Sequence, residues 1–242
     1  MIAFRAGACA VLAVFFAALS SNDAKAAGTA YNVDTSEVAD GCKLEAWTSL
    51  ARNRDMLASF SPSCSLALYR PTEFAVQFDR TRADGEYASA FTPKIKVKLK
   101  DSGVGEFGLA ITTNATFDAA TGENTQVTVL VPATMRFSNV ARLNLNAGWT
   151  HDKTLDRNFF AYGAGIDVRT PDNMWIVTAE VFGFTGNGID IPPSVLRPRG
   201  QLGLRWRPVE AWSADIILGR NLAGENSRWI TFATAYRFSL GN

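Results

Sequence analysis

From Glu73 to Phe238 the chain alternates repeatedly between apolar residues and small or polar residues. A two-residue period is that of a β-strand whose two faces meet different surroundings. The alternation recurs in separate stretches, each near the ~10-residue length that a tilted membrane strand requires. These stretches cover residues 73–80, 90–100, 105–117, 125–137, 141–151, 159–169, 174–185, 199–207, 212–221 and 228–238.

The composition of the two faces separates a membrane barrel from a soluble sheet. In a soluble sandwich the polar face is the outer one and is rich in Lys and Glu. Here the polar sets instead hold many Gly, Asn, Thr and Arg residues, which suit a crowded or wet interior. The pattern therefore predicts an all-β fold, an antiparallel up-and-down transmembrane β-barrel in the bacterial outer membrane. A soluble secreted β-protein is the alternative.

The connections between the stretches form two classes when Phe238 is placed on the periplasmic side. Outer-membrane barrels keep periplasmic turns short and extracellular loops longer. The periplasmic set comprises Asp101–Val104, Ser138–Val140, Thr170–Asn173 and Pro208–Ala211. The extracellular set comprises Thr81–Ser89, Ala119–Asn124, Asp152–Asn158, Gly186–Pro198 and Ala223–Ser227. The extracellular set is longer on average, which supports the barrel.

The segment before Glu73 determines the strand count. Cys42–Leu50 and Met56–Ser63 are predicted to form a hairpin. Cys42 and Cys64 would join its open end in a disulfide, because the periplasm is oxidising. If both arms join the wall formed by residues 65–242, the barrel has twelve strands; if residues 42–64 are a periplasmic clip or a plug, it has ten. We favour twelve, since each arm approaches the ~9–11 residues of a membrane strand.

The N-terminus has the features of a secretory signal peptide. Residues 1–26 contain Arg5, an apolar run from Ala8 to Leu19, and a small-x-small cleavage site at Ala24-Lys25-Ala26. We expect cleavage before Ala27 and a disordered lead over residues 27–41. Without residues 1–26 the basic and acidic residues balance, so the chain lacks the net charge that attracts nucleic acid.

Three parts of the chain carry a family resemblance. They are Cys42-Lys-Leu-Glu-Ala-Trp47 with Ser61-Pro-Ser-Cys64, Gln201-Leu-Gly-Leu-Arg-Trp-Arg-Pro208, and the closing strand, Arg228–Phe238. Together they resemble uncharacterised proteobacterial outer-membrane β-barrel proteins of the outer-membrane transporter type. In the closing strand, Thr231, Ala233, Tyr236 and Phe238 match the polar-x-small-x-x-aromatic-x-aromatic assembly signal of such barrels. The resemblance implies outer-membrane lipid and the barrel assembly machinery as partners, and it brings no substrate or catalytic residue.

An enzymatic function is not expected. Most outer-membrane hydrolases need a histidine near a serine or an acid at the rim of the barrel. His151 is the chain's only histidine and precedes Asp152, but no serine stands in a local motif with it. We therefore interpret His151 as a surface histidine and expect no metal or cofactor site. An outer-membrane hydrolase is the least favoured alternative.

Charged residues of inward parity are mostly basic. The bases are Lys94, Lys96, Lys98, Arg136, Arg142, Arg169, Arg205, Arg207 and Arg237, and the acids are Asp79, Asp167, Glu180 and Asp215. Arg205 and Asp215 are expected to form a cross-strand pair. The surplus of bases favours a water-filled lumen, and hence a passive channel or transporter for small anionic solutes. The alternative is a non-conducting barrel. Such a barrel would have a structural role, or it would bind lipopolysaccharide or a partner through the 186–198 loop.

Overall fold

The computed structural model describes residues 30–38, 40–52, 54–186, 198–224 and 226–239, so the expected signal peptide lies outside it. The described residues form twelve β-strands. The strands are β1 (Cys42–Ala51), β2 (Met56–Ala67), β3 (Pro71–Ala83), β4 (Glu86–Lys100), β5 (Phe107–Asp118), β6 (Asn124–Arg136), β7 (Ala141–Asp152), β8 (Arg157–Arg169), β9 (Trp175–Thr185), β10 (Arg199–Val209), β11 (Trp212–Asn221) and β12 (Arg228–Phe238). No helix of the described residues has the length and hydropathy of a membrane span.

The strands form one closed antiparallel barrel in which each strand pairs with its neighbours in the chain. The circle closes where β1 pairs with β12, from Cys42 opposite Phe238 to Ala51 opposite Trp229. A closed circle leaves no strand edge with unpaired backbone groups, as a lipid bilayer requires. The all-β barrel and the count of twelve strands are therefore confirmed, because β1 and β2 belong to the wall.

We call the two rims of the barrel the turn end and the loop end. The turn end holds the start of β1, the end of β12, and the connections 68–70, 101–106, 137–140, 170–174 and 210–211. The loop end holds the connections 52–55, 84–85, 119–123, 153–156, 186–198 and 222–227. The turn end corresponds to the rim that the sequence assigns to the periplasm.

One connection at the loop end is much shorter than expected. The sequence predicts a loop over Thr81–Ser89, whereas β3 and β4 remain paired as far as Ala83 and Glu86. Asp84 and Gly85 alone connect the two strands, with φ angles of 51° and 87°. Positive φ at both central residues is typical of a type I′ turn, for which Asp-Gly is a preferred sequence. Of the predicted longest loop, residues 187–197 lie outside the described part of the chain.

The two faces of the strands follow the predicted alternation. In β12, Phe232 and Tyr236 are 48% and 51% exposed, while Thr231 and Ala235 are buried. The exposed outer belt also includes Leu44, Phe60, Phe74, Phe78, Ile95, Ile111, Val131, Leu145, Ile166, Val177, Leu202, Leu204, Ile216 and Leu218. An apolar outside around a polar inside is the reverse of a soluble barrel, so the wall faces lipid.

Aromatic side chains mark both surfaces of the membrane. At the turn end, Trp206 packs against Trp175 and Trp212, with ring centroids 6.2 and 5.5 Å apart. Trp149 and Phe160 are exposed near the loop end. Rings that combine an apolar body with a polar N–H suit the interface between lipid and water.

A disulfide closes the β1–β2 hairpin at the turn end, as predicted. Cys42 and Cys64 stand opposite each other in register and are bonded. Gly41 precedes the hairpin with a φ of 81°, and a Cβ at this position would lie 2.7 Å from the carbonyl oxygen of Phe238. A glycine is therefore needed where the chain enters the wall beside the end of β12.

Candidate functional site in the barrel lumen

Residues 30–38, which we call the lumen segment, cross the inside of the barrel. The amide of Asp34 donates to Oδ1 of Asn146 at 2.7 Å, and the amide of Ser36 donates to Oγ1 of Thr134 at 2.9 Å. For residues 30–38 this arrangement corrects the expected disordered lead over residues 27–41. The physical reason is that side chains of the wall satisfy backbone groups that a free lead would leave to water.

Asp34 binds two lysines of β4, Lys94 and Lys96, which we call the lysine pair. Its carboxylate lies 3.0 Å from Nζ of Lys94 and 2.7 Å from Nζ of Lys96. The two lysines are two residues apart on one strand, so they point to the same face. Two ammonium groups at these distances favour the ionised form of Asp34. The carboxylate is therefore ionised inside the lumen.

Glu37 binds two arginines at the turn end, Arg136 and Arg142, which we call the arginine pair. Arg142 Nη1 donates to Oε2 of Glu37 at 2.9 Å, and Arg136 Nη2 donates to Oε1. Arg142 Nε also lies 2.6 Å from Asp167, so this base links the wall to the lumen segment. Two guanidinium groups at this carboxylate favour its ionised form.

Tyr31 anchors the other end of the lumen segment. Its hydroxyl donates to Oδ1 of Asp215 at 3.0 Å, and Arg205 Nε donates to the same oxygen at 2.7 Å. Arg205 stands opposite Asp215 in the β10–β11 register, so the structure contains the predicted cross-strand pair. A Cβ at Gly203 would lie 2.9 Å from Cε1 of Tyr31, so this glycine makes room for the ring.

Glu180 of β9 holds the middle of the lumen segment. Its carboxylate accepts the amide hydrogens of Asn32 and Val33, with nitrogen–oxygen distances of 2.7 and 3.1 Å. The Val33 side chain forms a buried apolar cluster with Phe182 and Trp229 inside the barrel. The segment is thus held in the lumen by its backbone amides, by Asp34 and Glu37, and by the side chains of Tyr31 and Val33.

The remaining predicted lumen bases lie towards the turn end. Nζ of Lys98 lies 2.6 Å from Oδ1 of Asp101 in the adjoining turn. Arg169 Nη1 donates to Oδ1 of Asn173 at 3.3 Å. Arg207 and Arg237 are half-buried near the ends of β10 and β12. The structure thus divides the predicted bases into one group around the lumen segment and another at the turn-end rim.

The acids of the lumen segment are the site residues that the sequence pattern misses. Residues 30–38 show no strand period, and their partners are distant in the chain: Asp34 is 60 residues from Lys94, and Glu37 is 105 residues from Arg142. One signal does point to them. The predicted surplus of inward bases requires additional carboxylates, and the lead before β1 contains acids.

His151 lies outside the lumen site, near the loop end. Its ring stacks on Trp149 with centroids 6.0 Å apart, and its Nδ1 lies 3.1 Å from Oδ1 of Asn158. An amide and an indole ring are not nucleophiles, so these contacts supply no step of hydrolysis. Within the described ranges, no group of His, Cys, Asp and Glu side chains is arranged to hold a metal ion.

The barrel is similar to solved outer-membrane barrels at low sequence identity. It resembles the KdgM porin in complex with disordered oligogalacturonate, with a TM-score of 0.62 and 10% identity over 81% of this chain and 99% of that chain. It resembles the NanC porin with a TM-score of 0.61 and 5% identity, over 81% and 100% of the two chains. Outer membrane phospholipase A from Escherichia coli follows at a TM-score of 0.51 and 8% identity, over 83% and 98%. The fold is therefore that of an outer-membrane barrel, which porins and an enzyme share.

No curated protein matches the sequence. One family model does match, and its description is Uncharacterised conserved protein UCP029691. The match runs over residues 15–238, which include the lumen segment and all twelve strands. The protein therefore belongs to the UCP029691 family and has the fold of an outer-membrane β-barrel.

Proposed function

We propose that the protein is a passive outer-membrane channel for small anionic solutes. The observation that carries the proposal is that basic side chains on the lumen face of the wall keep access to water. Lys94 and Arg136 are 31% and 28% exposed in their side chains despite their ion pairs, so water has access to the lumen beside them. Wet basic side chains inside a barrel favour the entry of anions.

The turn-end rim supports the same selectivity. Arg169, Arg207 and Arg237 lie at or near the turn-end limits of β8, β10 and β12. Grouped like charges beside walls of low dielectric constant concentrate ions of the opposite sign. An anion would therefore meet basic side chains at the rim and again at the lysine and arginine pairs.

The KdgM porin provides a chemical parallel. Its structure is that of a complex with oligogalacturonate, a chain of sugars that carry carboxylates. A carboxylate-bearing solute in a barrel of similar fold supports anions as the solute class here. An identity of 10% shows a shared fold only, so the ion selectivity of this barrel is tested by direct measurement.

Planar-bilayer recordings under a salt gradient test the proposal. We expect the purified protein to show anion selectivity, and we expect Arg169→Gln, Arg207→Gln and Arg237→Gln together to reduce it, because they remove charge from the rim. Arg82→Gln, Lys153→Gln and Arg228→Gln form the matched control, since these exposed bases lie at the loop end. Cation selectivity, or an equal loss in both triple variants, would contradict the proposal.

The lumen segment favours a second candidate, a non-conducting barrel with a structural or binding role. Tyr31 and Val33 occupy space inside the barrel, and Phe182 and Trp229 add bulk beside them. A barrel filled in this way would stabilise itself through its interior network without passing solutes. The same recordings separate the candidates, because a permanently filled lumen gives no channel events at any salt gradient.

A further inference from the structure

Two sites in the lumen are built to hold carboxylates, and the chain fills both with its own acids. The lysine pair binds Asp34, and the arginine pair binds Glu37. Ser102 adds a hydroxyl donor to Glu37 at 3.2 Å. Charge-assisted hydrogen bonds of this kind are about twice as strong as neutral ones. Each pair of bases is therefore a carboxylate receptor, whichever molecule supplies the carboxylate.

We propose that the lysine pair and the arginine pair form a two-point binding site for a solute with two carboxylates, and that the lumen segment occupies this site as an internal competitor. The inference rests on the proposed function, since it names the class of anion that the channel accepts. It goes further by treating Asp34 and Glu37 as stand-ins for the carboxylates of that solute.

The spacing of the two acids along the chain gives the order of magnitude of the solute's length. Asp34 and Glu37 are three residues apart, so their Cα atoms are at most about 10 Å apart in an extended chain. A matching solute is linear, with a carboxylate at each end and a comparable separation between them. Once one carboxylate is bound, the second binds at a high effective concentration, so such a solute outcompetes one with a single carboxylate.

Water reaches the two carboxylates of the lumen segment, so a solute can replace them at the lysine pair and the arginine pair while the other contacts of the segment remain. The side chains of Asp34, Glu37 and Lys94 are 24%, 30% and 31% exposed, whereas the Lys96 side chain is only 4% exposed. Ion pairs with access to water contribute little net free energy each. In addition, Asn32 Nδ2 and Ser36 Oγ are buried without a hydrogen-bond partner among the described residues. Burying unpaired polar atoms opposes the seating of the segment.

Removal of the two carboxylates from the full chain tests the competition. Asp34→Asn with Glu37→Gln keeps the shape of both side chains and removes their charge. Glu123→Gln with Asp156→Asn is the matched control, since these exposed acids lie in loop-end connections. The probes are butanedioate, octanedioate and octanoate, titrated by calorimetry against each barrel in detergent.

We expect octanedioate to bind D34N/E37Q about tenfold more tightly than the unsubstituted protein, because an internal competitor has been weakened. The control variant should bind it as the unsubstituted protein does. In D34N/E37Q, octanedioate should also bind about tenfold more tightly than butanedioate, which is too short, and octanoate, which has one carboxylate. Adding Lys94→Gln and Lys96→Gln should remove this preference while the protein keeps the gel mobility of a folded barrel.

Two results would overturn the inference: equal octanedioate affinity in D34N/E37Q and the unsubstituted protein, or equal affinity of D34N/E37Q for octanedioate and octanoate. Neither comparison needs the quadruple variant to fold. Calorimetry also does not require conduction. A barrel that binds as expected but shows no channel events supports the two-point site and contradicts the proposed function. A conducting, anion-selective barrel without the octanedioate preference contradicts the two-point site alone.

Discussion

At the scale of single residues, the ion pairs of the lumen differ in how much water reaches them. The Arg205–Asp215 pair is nearly dry on its acidic side, with the Asp215 side chain 2% exposed, whereas Asp101 in the Lys98–Asp101 pair is 84% exposed. Removing one partner of a buried pair leaves a charge without compensation. Removing one partner of an exposed pair returns the other to water at little loss.

Alanine at these two acids should therefore have unequal effects. We expect Asp215→Ala to lower the free energy of unfolding by about 3 kcal/mol, since Arg205 and Tyr31 lose a shared partner. Asp101→Ala should lower it by less than about 1 kcal/mol. Urea unfolding in detergent, followed by tryptophan fluorescence, measures both values. Similar losses for the two variants would show that the Arg205–Asp215 pair is as well solvated as the exposed one.

At the scale of elements, the strands could be predicted and the lumen segment could not. A strand of this wall has lipid on one side and the lumen on the other, so its sequence must alternate, and stretches such as 141–151 correspond closely to β7 (Ala141–Asp152). The Asp84-Gly85 turn was missed, since a loop was predicted over Thr81–Ser89, although its sequence favours positive φ at both positions. The lumen segment contacts individual side chains from distant strands, and such contacts impose no period on its sequence.

The disulfide of the β1–β2 hairpin should contribute to the stability of the barrel. The bond joins residues that are 22 positions apart, and closing a loop of that size restricts the unfolded chain. We expect Cys42→Ser with Cys64→Ser to lower the free energy of unfolding by about 3 kcal/mol. Urea unfolding with and without a reductant measures the effect. The double variant should no longer respond to the reductant, and a continuing response would show that the loss has another cause.

At the scale of the whole molecule, the barrel has a charged, hydroxyl-rich inside and an apolar outside. Buried Thr112, Thr128, Thr134, Thr150 and Thr231 line the inner face, and the exposed belt faces outward. A residue on the inner face of this wall is therefore in a different environment from a residue on the outer face. A reagent that enters the lumen experiences the field of the inward bases, whereas the outer face is covered by lipid.

Thiol labelling of whole cells or proteoliposomes detects that field. A cysteine at Thr92, two residues from Lys94 on the inner face of β4, should react about tenfold faster with an anionic thiosulfonate than with a cationic one of similar size. A cysteine at Phe78, which is 50% exposed on the lipid face, should react with neither reagent. Faster reaction with the cationic reagent at Thr92→Cys would mean that the lumen attracts cations.

The position of the lumen segment in the chain also bears on the order of folding. The segment precedes β1, yet Tyr31 bonds to Asp215, 184 residues later. Contacts between residues so distant in sequence form late, because the intervening chain must be organised first. The contact of Tyr31 can therefore form only after β10 and β11, which carry Arg205 and Asp215, have joined the wall. Complete seating of the segment therefore waits for strands near the C-terminal end of the wall, whereas its pairing with the lysines and arginines depends only on β4, β6 and β7.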